Sequence, residues 1–401
     1  MRRSIARLGG AAALMAVAVA ISVAVVPRAS PGAHPPSASL PAASASPQAS
    51  PRATQPAASA TTPDDGRGTA RPVVLLPVPT AQAAALQAAV DRARTAFGLA
   101  AVAVGISADA TMGWSGAAGP PRDGVTPLGG TTPFAIASVT KTFTAAIVLQ
   151  LVEEGRIRLD APVADYLPEL TLAKGVTVQQ LLSHTSGIAD LLAPMRDRLN
   201  ADPHRAWTPA EVLALIGPSR FKPGRDWGYS NTNYVIAGLV VERVTGDTFA
   251  DELERRITGP LELAGTGFPP AVARDNLLGV SWSSAFWTAA ALDSTADDLV
   301  RWGDALYGGA ILRPSSLALM LEFNDNAYGL GAERYVLAGL NGIGHSGLLR
   351  GFTTLLIHLP DQHLTIAVLA TGHSFSPSAF LTYGGIGGSS ILDLALAISP
   401  T

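Results

Sequence analysis

Two groups of strand-length apolar runs, separated by a long helical stretch, are the strongest constraint on how this 401-residue chain folds. Leu99–Ile106 and Met112–Gly116 read as strands joined by a turn at Ser107-Ala108-Asp109. Tyr335–Leu340, Phe352–Leu359 and Leu364–Ala370 read as three more, with Pro360-Asp361 supplying one of the turns. Thr80–Phe97 has the apolar spacing of a helix, with Gly98 placed to end it, and Ser138–Glu154 is a strongly apolar helix closed by Gly155. Ser389–Ile398 supplies a closing helix, and residues from about 140 to 290 are mostly helical segments and loops. Strands at both ends with helices between them predict one sheet assembled from both ends of the domain. The expected fold class is therefore α/β (α+β): an antiparallel sheet flanked by helices, plus an inserted all-α domain over about 140–290.

The sequence ahead of this domain has a different character. Arg2, Arg3 and Arg7 precede an unbroken stretch of apolar and small residues from Leu8 to Val26. Residues 1–26 are either a signal peptide, with Ser22-Val23-Ala24 as a small-x-small cleavage site, or a membrane anchor, with 8–26 as the tether. In both readings the basic end stays inside and the rest is exported, which predicts an extracellular or cell-envelope protein. Residues 27–79 are dominated by Pro, Ala, Ser and Thr and cannot bury enough apolar surface to offset their ordering entropy; they are expected to be a disordered linker. The folded domain is expected over 80–399.

Composition excludes several kinds of chemistry. The chain has no cysteine, so disulfides, thiolate catalysis and cysteine-held metals are ruled out. None of its seven histidines falls in an H-x-H or H-E-x-x-H spacing, so no metal site and no cofactor is expected. With a net charge of −3 and no basic run beyond the extreme N-terminus, a nucleic-acid partner is not expected. Basic residues are 25 Arg against 3 Lys, which makes each lysine informative.

One of those lysines closes the tetrad Ser138-Val139-Thr140-Lys141. On a helix, Ser138 and Lys141 stand one turn apart on the same face, where their heads can approach hydrogen-bond distance. A serine hydroxyl is a poor nucleophile until a base takes its proton. Lysine can be that base if burial depresses its pKa, whereas arginine stays protonated. A second element, Tyr229-Ser230-Asn231, offers a phenol able to shuttle a proton and an amide able to orient substrate or lysine. The third, His345-Ser346-Gly347, falls between the strand expected to end near Leu340 and the one expected to start at Phe352. A glycine there lets a substrate backbone come close, and neighbouring N–H groups can hold an oxyanion. Gly344-His345-Ser346-Gly347-Leu348 also nearly matches the G-x-S-x-G nucleophile elbow, but Leu348 stands where the last glycine is required; Ser346 is the runner-up nucleophile. His184 is read as a loop-organising residue.

In this order and spacing the three elements resemble the serine β-lactamase and D,D-peptidase superfamily, in its class C and carboxypeptidase-like branch. The flanking text is similar over most of residues 82–372, as in Leu151-Val-Glu-Glu-Gly-Arg-Ile-Arg-Leu-Asp, Leu181-Leu-Ser-His-Thr-Ser-Gly-Ile and Gly344-His-Ser-Gly. The resemblance implies a sheet domain and a helical domain with the active site between them. It implies Ser138 as the acylated nucleophile, Lys141 as its base and Tyr229 as the residue moving the proton to the leaving group. It also implies Asn231 as a substrate-orienting residue, His345, Ser346 and Gly347 as the substrate-binding third motif, and the backbone N–H groups of Ser138 and Leu348 as the oxyanion hole. Class C β-lactamases usually carry Lys-Thr-Gly at that third motif, so His345 points towards carboxypeptidases, aminopeptidases and esterases. Arg350 is a candidate to pair with a substrate carboxylate. The expected activity is that of a monomeric serine hydrolase on a small-molecule or peptidoglycan-derived peptide or ester, D-alanyl-D-alanine carboxypeptidase-like. A class C-like β-lactamase and a non-catalytic penicillin-binding module are the alternatives.

Overall fold

The computed structural model describes residue 72 and residues 74–398 except 123, 270–275 and 373. The apolar stretch Leu8–Val26 and most of the 27–79 segment lie outside the described residues.

The first part of the domain runs β1 (Leu76–Pro77), α1 (Thr80–Phe97), β2 (Ala101–Ala108), β3 (Met112–Ala118) and β4 (Phe134–Ala135). Helices follow: α2 (Thr140–Glu153), α3 to α5 (Val178–Leu182, Leu192–Ala201 and Pro209–Leu213), α6 (Asn231–Thr245), α7 (Phe249–Leu253) and α8 (Val280–Ala290). After β5 (Asp293–Ser294) come α9 (Ala296–Tyr307) and α10 (Pro314–Met320). The chain then closes with β6 (Glu333–Leu337), β7 (Leu340–Leu349), β8 (Phe352–Leu359), β9 (Leu364–Thr371), α11 (Pro377–Leu381) and α12 (Ile391–Leu396).

Seven strands make one sheet in the order β1-β3-β2-β9-β8-β7-β6, antiparallel throughout except for the parallel pairing of β1 on β3. The early and late strands meet at β2 and β9, where Ala101 lies opposite Thr371 and Ala108 opposite Leu364. The sheet is thus assembled from both ends, as expected, with the helices of the middle stretch inserted between. It also starts sooner than the change in composition suggests. Leu76-Pro77, at the end of the expected linker, pair with Met112-Gly113.

Alternation along the central strands builds two cores, one on each face. Val102, Val104, Ile106, Ile366 and Val368 face α1, α11 and α12. Ala101, Ala103, Leu356, Ala367 and Leu369 face the helices that carry the site, in one continuous core with α2, α6, α8 and α9. Gly105 lets α9 settle onto β2, since a Cβ there would stand 2.5 Å from the Ala296 carbonyl oxygen. Asp304 of α9 reaches into the join between the two halves and accepts hydroxyl hydrogen bonds from Ser107 on β2 and Thr365 on β9. α2 is buried on all sides from Thr140 to Leu151, as a helix apolar around its whole circumference must be. Phe143 stacks on Trp302 with ring centroids 4.2 Å apart, each ring contributing on the order of 2–3 kcal/mol of burial.

One expectation is overturned. β7 runs unbroken from Leu340 to Leu349, so His345, Ser346 and Gly347 lie inside a strand and not between two. The turn comes earlier, at Ala338-Gly339, where φ values of 51° and 85° give the two-residue hairpin whose twist matches the flanking strands.

Candidate active site

The nucleophile candidate sits on a strained turn. Ala137 has φ 46°, a left-handed conformation costly for a residue with a Cβ, and it leads into a 3-10 turn, Ala137–Val139, that feeds α2. This turn brings the Ser138 hydroxyl to the head of α2, one helical turn from Lys141. Lys141 Nζ lies 3.1 Å from Ser138 Oγ, and the Tyr229 hydroxyl donates to the same oxygen at 2.8 Å. The three residues expected to act together are therefore in mutual contact.

Lys141 is fully buried, and desolvation brings its pKa from the usual lysine range down to about 7 against the opposing pull of Asp190 and Glu333. Its nitrogen also donates to Asn231 Oδ1 at 2.8 Å and to the Ala289 carbonyl at 2.9 Å. An uncharged amine has two N–H bonds and one lone pair. With both N–H bonds directed at Asn231 and Ala289, the lone pair is left facing the Ser138 hydroxyl. The Ala289 carbonyl is aimed by a kink in α8 at Trp287, whose φ 33° and ψ −118° break the helical path two residues earlier.

Asn231 opens α6 and is turned towards the lysine. Its amide orientation is set by Asp190, whose Oδ2 accepts the Asn231 backbone N–H at 2.7 Å and its Nδ2 at 2.9 Å. The oxygen of that amide is thereby forced onto Lys141. Asn231 accordingly orients the base, one of the two roles its position allowed.

Burial raises the Tyr229 pKa well above the usual phenol value, keeping the hydroxyl protonated and able to donate. His184 packs behind it with ring centroids 4.3 Å apart. Burial pushes the His184 pKa well below the usual imidazole value, and its Nδ1 accepts the Ser230 N–H. The loop-organising role read from the sequence fits this placement.

The third motif brings the sheet against the nucleophile. A Cβ on Gly347 would stand 2.4 Å from the Ile136 carbonyl oxygen and 3.1 Å from the Ser138 nitrogen, so only glycine permits this approach. β6 pairs with β7 only as far as Gly344, which leaves the edge of β7 beyond it open. The Ser346 N–H points off that edge to Glu333 Oε2 at 2.9 Å. Leu348, two residues along the strand, presents its N–H to the same edge.

Three of the expected binding roles are not matched by the geometry. His345 is 1% exposed; its Nε2 is paired with the Tyr328 hydroxyl at 3.0 Å and its Nδ1 with the Ser346 carbonyl. No ring nitrogen is left for a substrate, and burial lowers the His345 pKa. The Ser346 hydroxyl donates to Glu333 Oε2 at 3.0 Å. Being inside a strand, Ser346 also lacks the strand-to-helix turn that an elbow nucleophile needs. The Arg350 guanidinium donates to the Leu278 carbonyl and lies over the Trp282 ring at 5.4 Å. Residue types alone gave no reason to single out Asp190, Glu333 or the Ala289 carbonyl.

A sheet made from both ends of the domain, with a serine, a lysine and a tyrosine joined where it meets the helices, defines a penicillin-recognising type of serine hydrolase. Residues 86–384 match the Beta-lactamase family, and the chain belongs to it. It is 30% identical over 289 residues, 60% of this chain and 72% of the relative, to penicillin-binding protein 4 of Amycolatopsis lactamdurans. It is 28% identical over 276 residues to a D-aminopeptidase of Cereibacter sphaeroides, covering 62% of this chain and 52% of that one. The crystal structure of a D-stereospecific amidohydrolase from Streptomyces sp. is similar with a TM-score of 0.65 and 29% identity, covering 75% of this chain and 98% of that one. The protein is a serine hydrolase of the β-lactamase and D,D-peptidase type.

Proposed function

We propose that this enzyme cleaves a small peptide, amide or ester outside the cytoplasm through an acyl-enzyme on Ser138. D,D-peptidases and D-amino-acid amidases or aminopeptidases are functional types that fit this reading. The observation that carries this reading is the hydrogen-bond pattern at Lys141: two acceptors take its N–H bonds and leave the lone pair for Ser138. Neutral Lys141 takes the Ser138 proton as Oγ attacks the carbonyl carbon. The carbonyl oxygen becomes an oxyanion held by the N–H groups of Ser138 and Leu348. Tyr229 then passes its hydroxyl proton to the departing amine or alcohol and is reprotonated by the Lys141 ammonium, which returns the base to its neutral form. A water repeats the sequence on the acyl-enzyme.

The names of similar proteins, a penicillin-binding protein, a D-aminopeptidase and a D-stereospecific amidohydrolase, support a D-configured substrate. With no lysine at the third motif, weak β-lactam turnover is expected. Arg2, Arg3 and Arg7 before the apolar stretch 8–26 support export, which fractionation of the producing cell tests.

The enzyme should be labelled covalently by a fluorescent penicillin or a serine-reactive fluorophosphonate, with Ser138→Ala abolishing the label. Labelling of the Ser138→Ala variant at the wild-type rate would overturn this mechanism.

A further inference from the structure

Glu333, the first residue of β6, stands across from Gly344 beside the third motif. Its Oε2 is the shared acceptor of the Ser346 N–H, the Ser346 hydroxyl and the Tyr335 hydroxyl, which together fix the carboxylate in place. Its Oε1 accepts no hydrogen bond among the described residues, and His345 Nδ1 lies 3.8 Å from it. The side chain remains 21% exposed.

The charges around it do not balance it. Lys141 and His345 are both driven towards their neutral forms by burial. The Arg350 guanidinium is engaged by Leu278 and Trp282. Among the described residues no lysine or arginine pairs with Glu333. The Ser346 N–H bound to this carboxylate and the Leu348 N–H leave β7 on the same open edge, roughly 7 Å apart for two residues of strand. A substrate whose oxyanion reaches Leu348 therefore lies along an edge whose other end carries a fixed negative charge.

We propose that Glu333 is a specificity-determining residue that makes this subsite selective for a cation: the preferred substrate carries a free ammonium, as in an amino-acid or peptide amide with an unblocked amine, and a free carboxylate there is rejected. The proposal rests on the acyl-enzyme reading above and turns it from a carboxypeptidase towards an amidase or aminopeptidase. Like charges at a partly exposed site differ from opposite charges by roughly ten- to a hundredfold in kcat/KM.

The test uses the full chain with D-alanine 4-nitroanilide, its N-acetyl derivative and its N-succinyl derivative, which puts a carboxylate on the same side of the scissile bond as the ammonium. Wild-type enzyme should prefer the unblocked anilide over the acetylated one, and the acetylated over the succinylated, by at least tenfold in kcat/KM. Glu333→Gln keeps an acceptor for Ser346 but removes the charge, and should collapse both ratios towards one; Glu333→Asp should restore part of each. If Glu333→Gln changes all three substrates by the same factor, or wild type shows no preference, the proposal is overturned and Glu333 only holds Ser346. Failure of the underlying mechanism reads differently: Ser138→Ala would then keep its turnover and its fluorophosphonate labelling, whatever the ratios.

Discussion

Asp190 holds Asn231 by two hydrogen bonds to a single carboxylate oxygen, and so decides which end of the Asn231 amide meets Lys141. Its charge also raises the lysine pKa against the desolvation that lowers it. Asp190→Asn should therefore reduce kcat/KM by on the order of ten- to a hundredfold and move the acid limb of the pH profile to lower pH. A merely structural residue would lower activity without moving that limb. Stopped-flow acylation across pH 5–9 separates the two outcomes.

Lys141 accepts a proton only in its neutral form. In wild-type enzyme kcat/KM should rise with pH through about 7 with a one-proton slope, the neutral base being present above that value and lost below it. Lys141→Arg should lose several orders of magnitude in acylation because guanidinium does not deprotonate. Near wild-type acylation by this variant would remove Lys141 from the mechanism.

Arg350 occupies the first position of the two-residue turn between β7 and β8, with φ 46°, and its guanidinium is tied to Leu278 and Trp282. Arg350→Ala should cost about 1–2 kcal/mol of stability through the lost hydrogen bond and ring contact. Its effect on carboxylate-bearing and neutral substrates should be the same. A selective rise in KM for the carboxylate substrate would show that the guanidinium swings into the site.

Gly347→Ala places a methyl group where the Ile136 carbonyl already stands. The strand must retreat from Ser138, separating the two oxyanion donors. Acylation should fall about a hundred- to a thousandfold, the usual effect of losing one such donor. A circular-dichroism spectrum and thermal midpoint near those of the parent would show that the loss is local.

Two buried acids should make the fold pH-dependent. Burial raises the pKa of Asp304 to about 6 and that of Asp293 to about 7, both above the unfolded value of 3.8. A raised carboxyl pKa means that the folded form prefers the protonated acid. The stabilisation is full below 3.8 and is lost as pH rises through 6 and 7. Asp304→Asn should remove up to ~3 kcal/mol of the decline in unfolding free energy between pH 4 and 8. Urea titrations at the two pH values measure it directly.

Much of this architecture was legible because local chemistry and tertiary packing agree. α1 ends where Gly98 takes the left-handed conformation, and β8 spans Phe352–Leu359 between tight turns, both as the sequence predicts. β7 was misjudged because Asn341, Gly342, Gly344 and Gly347 depress strand propensity; at Gly344 and Gly347 neighbouring backbone approaches too closely for a side chain. Ser138 and Lys141 could be found because the chemistry asks for a base one helical turn from the nucleophile, and Tyr229 because the resemblance to the superfamily implies it. Asp190 could not, since an aspartate 41 residues before Asn231 is an ordinary residue until the fold places it there. The same holds for the Ala289 carbonyl, which has no side-chain signature, and for Glu333, whose influence depends on where β6 stops pairing.

The pairing of β2 with β9 has a consequence for how the molecule comes into being. Ser138 and Lys141 emerge from the ribosome long before Leu348, and the hairpins that carry Leu348 join the first strands of the domain only through the pairing of β9 with β2. Such distant pairings form late and slowly. A nascent or truncated chain therefore possesses the nucleophile without the edge that stabilises the charge it must create. The site is therefore completed from its C-terminal side, by the strands made last.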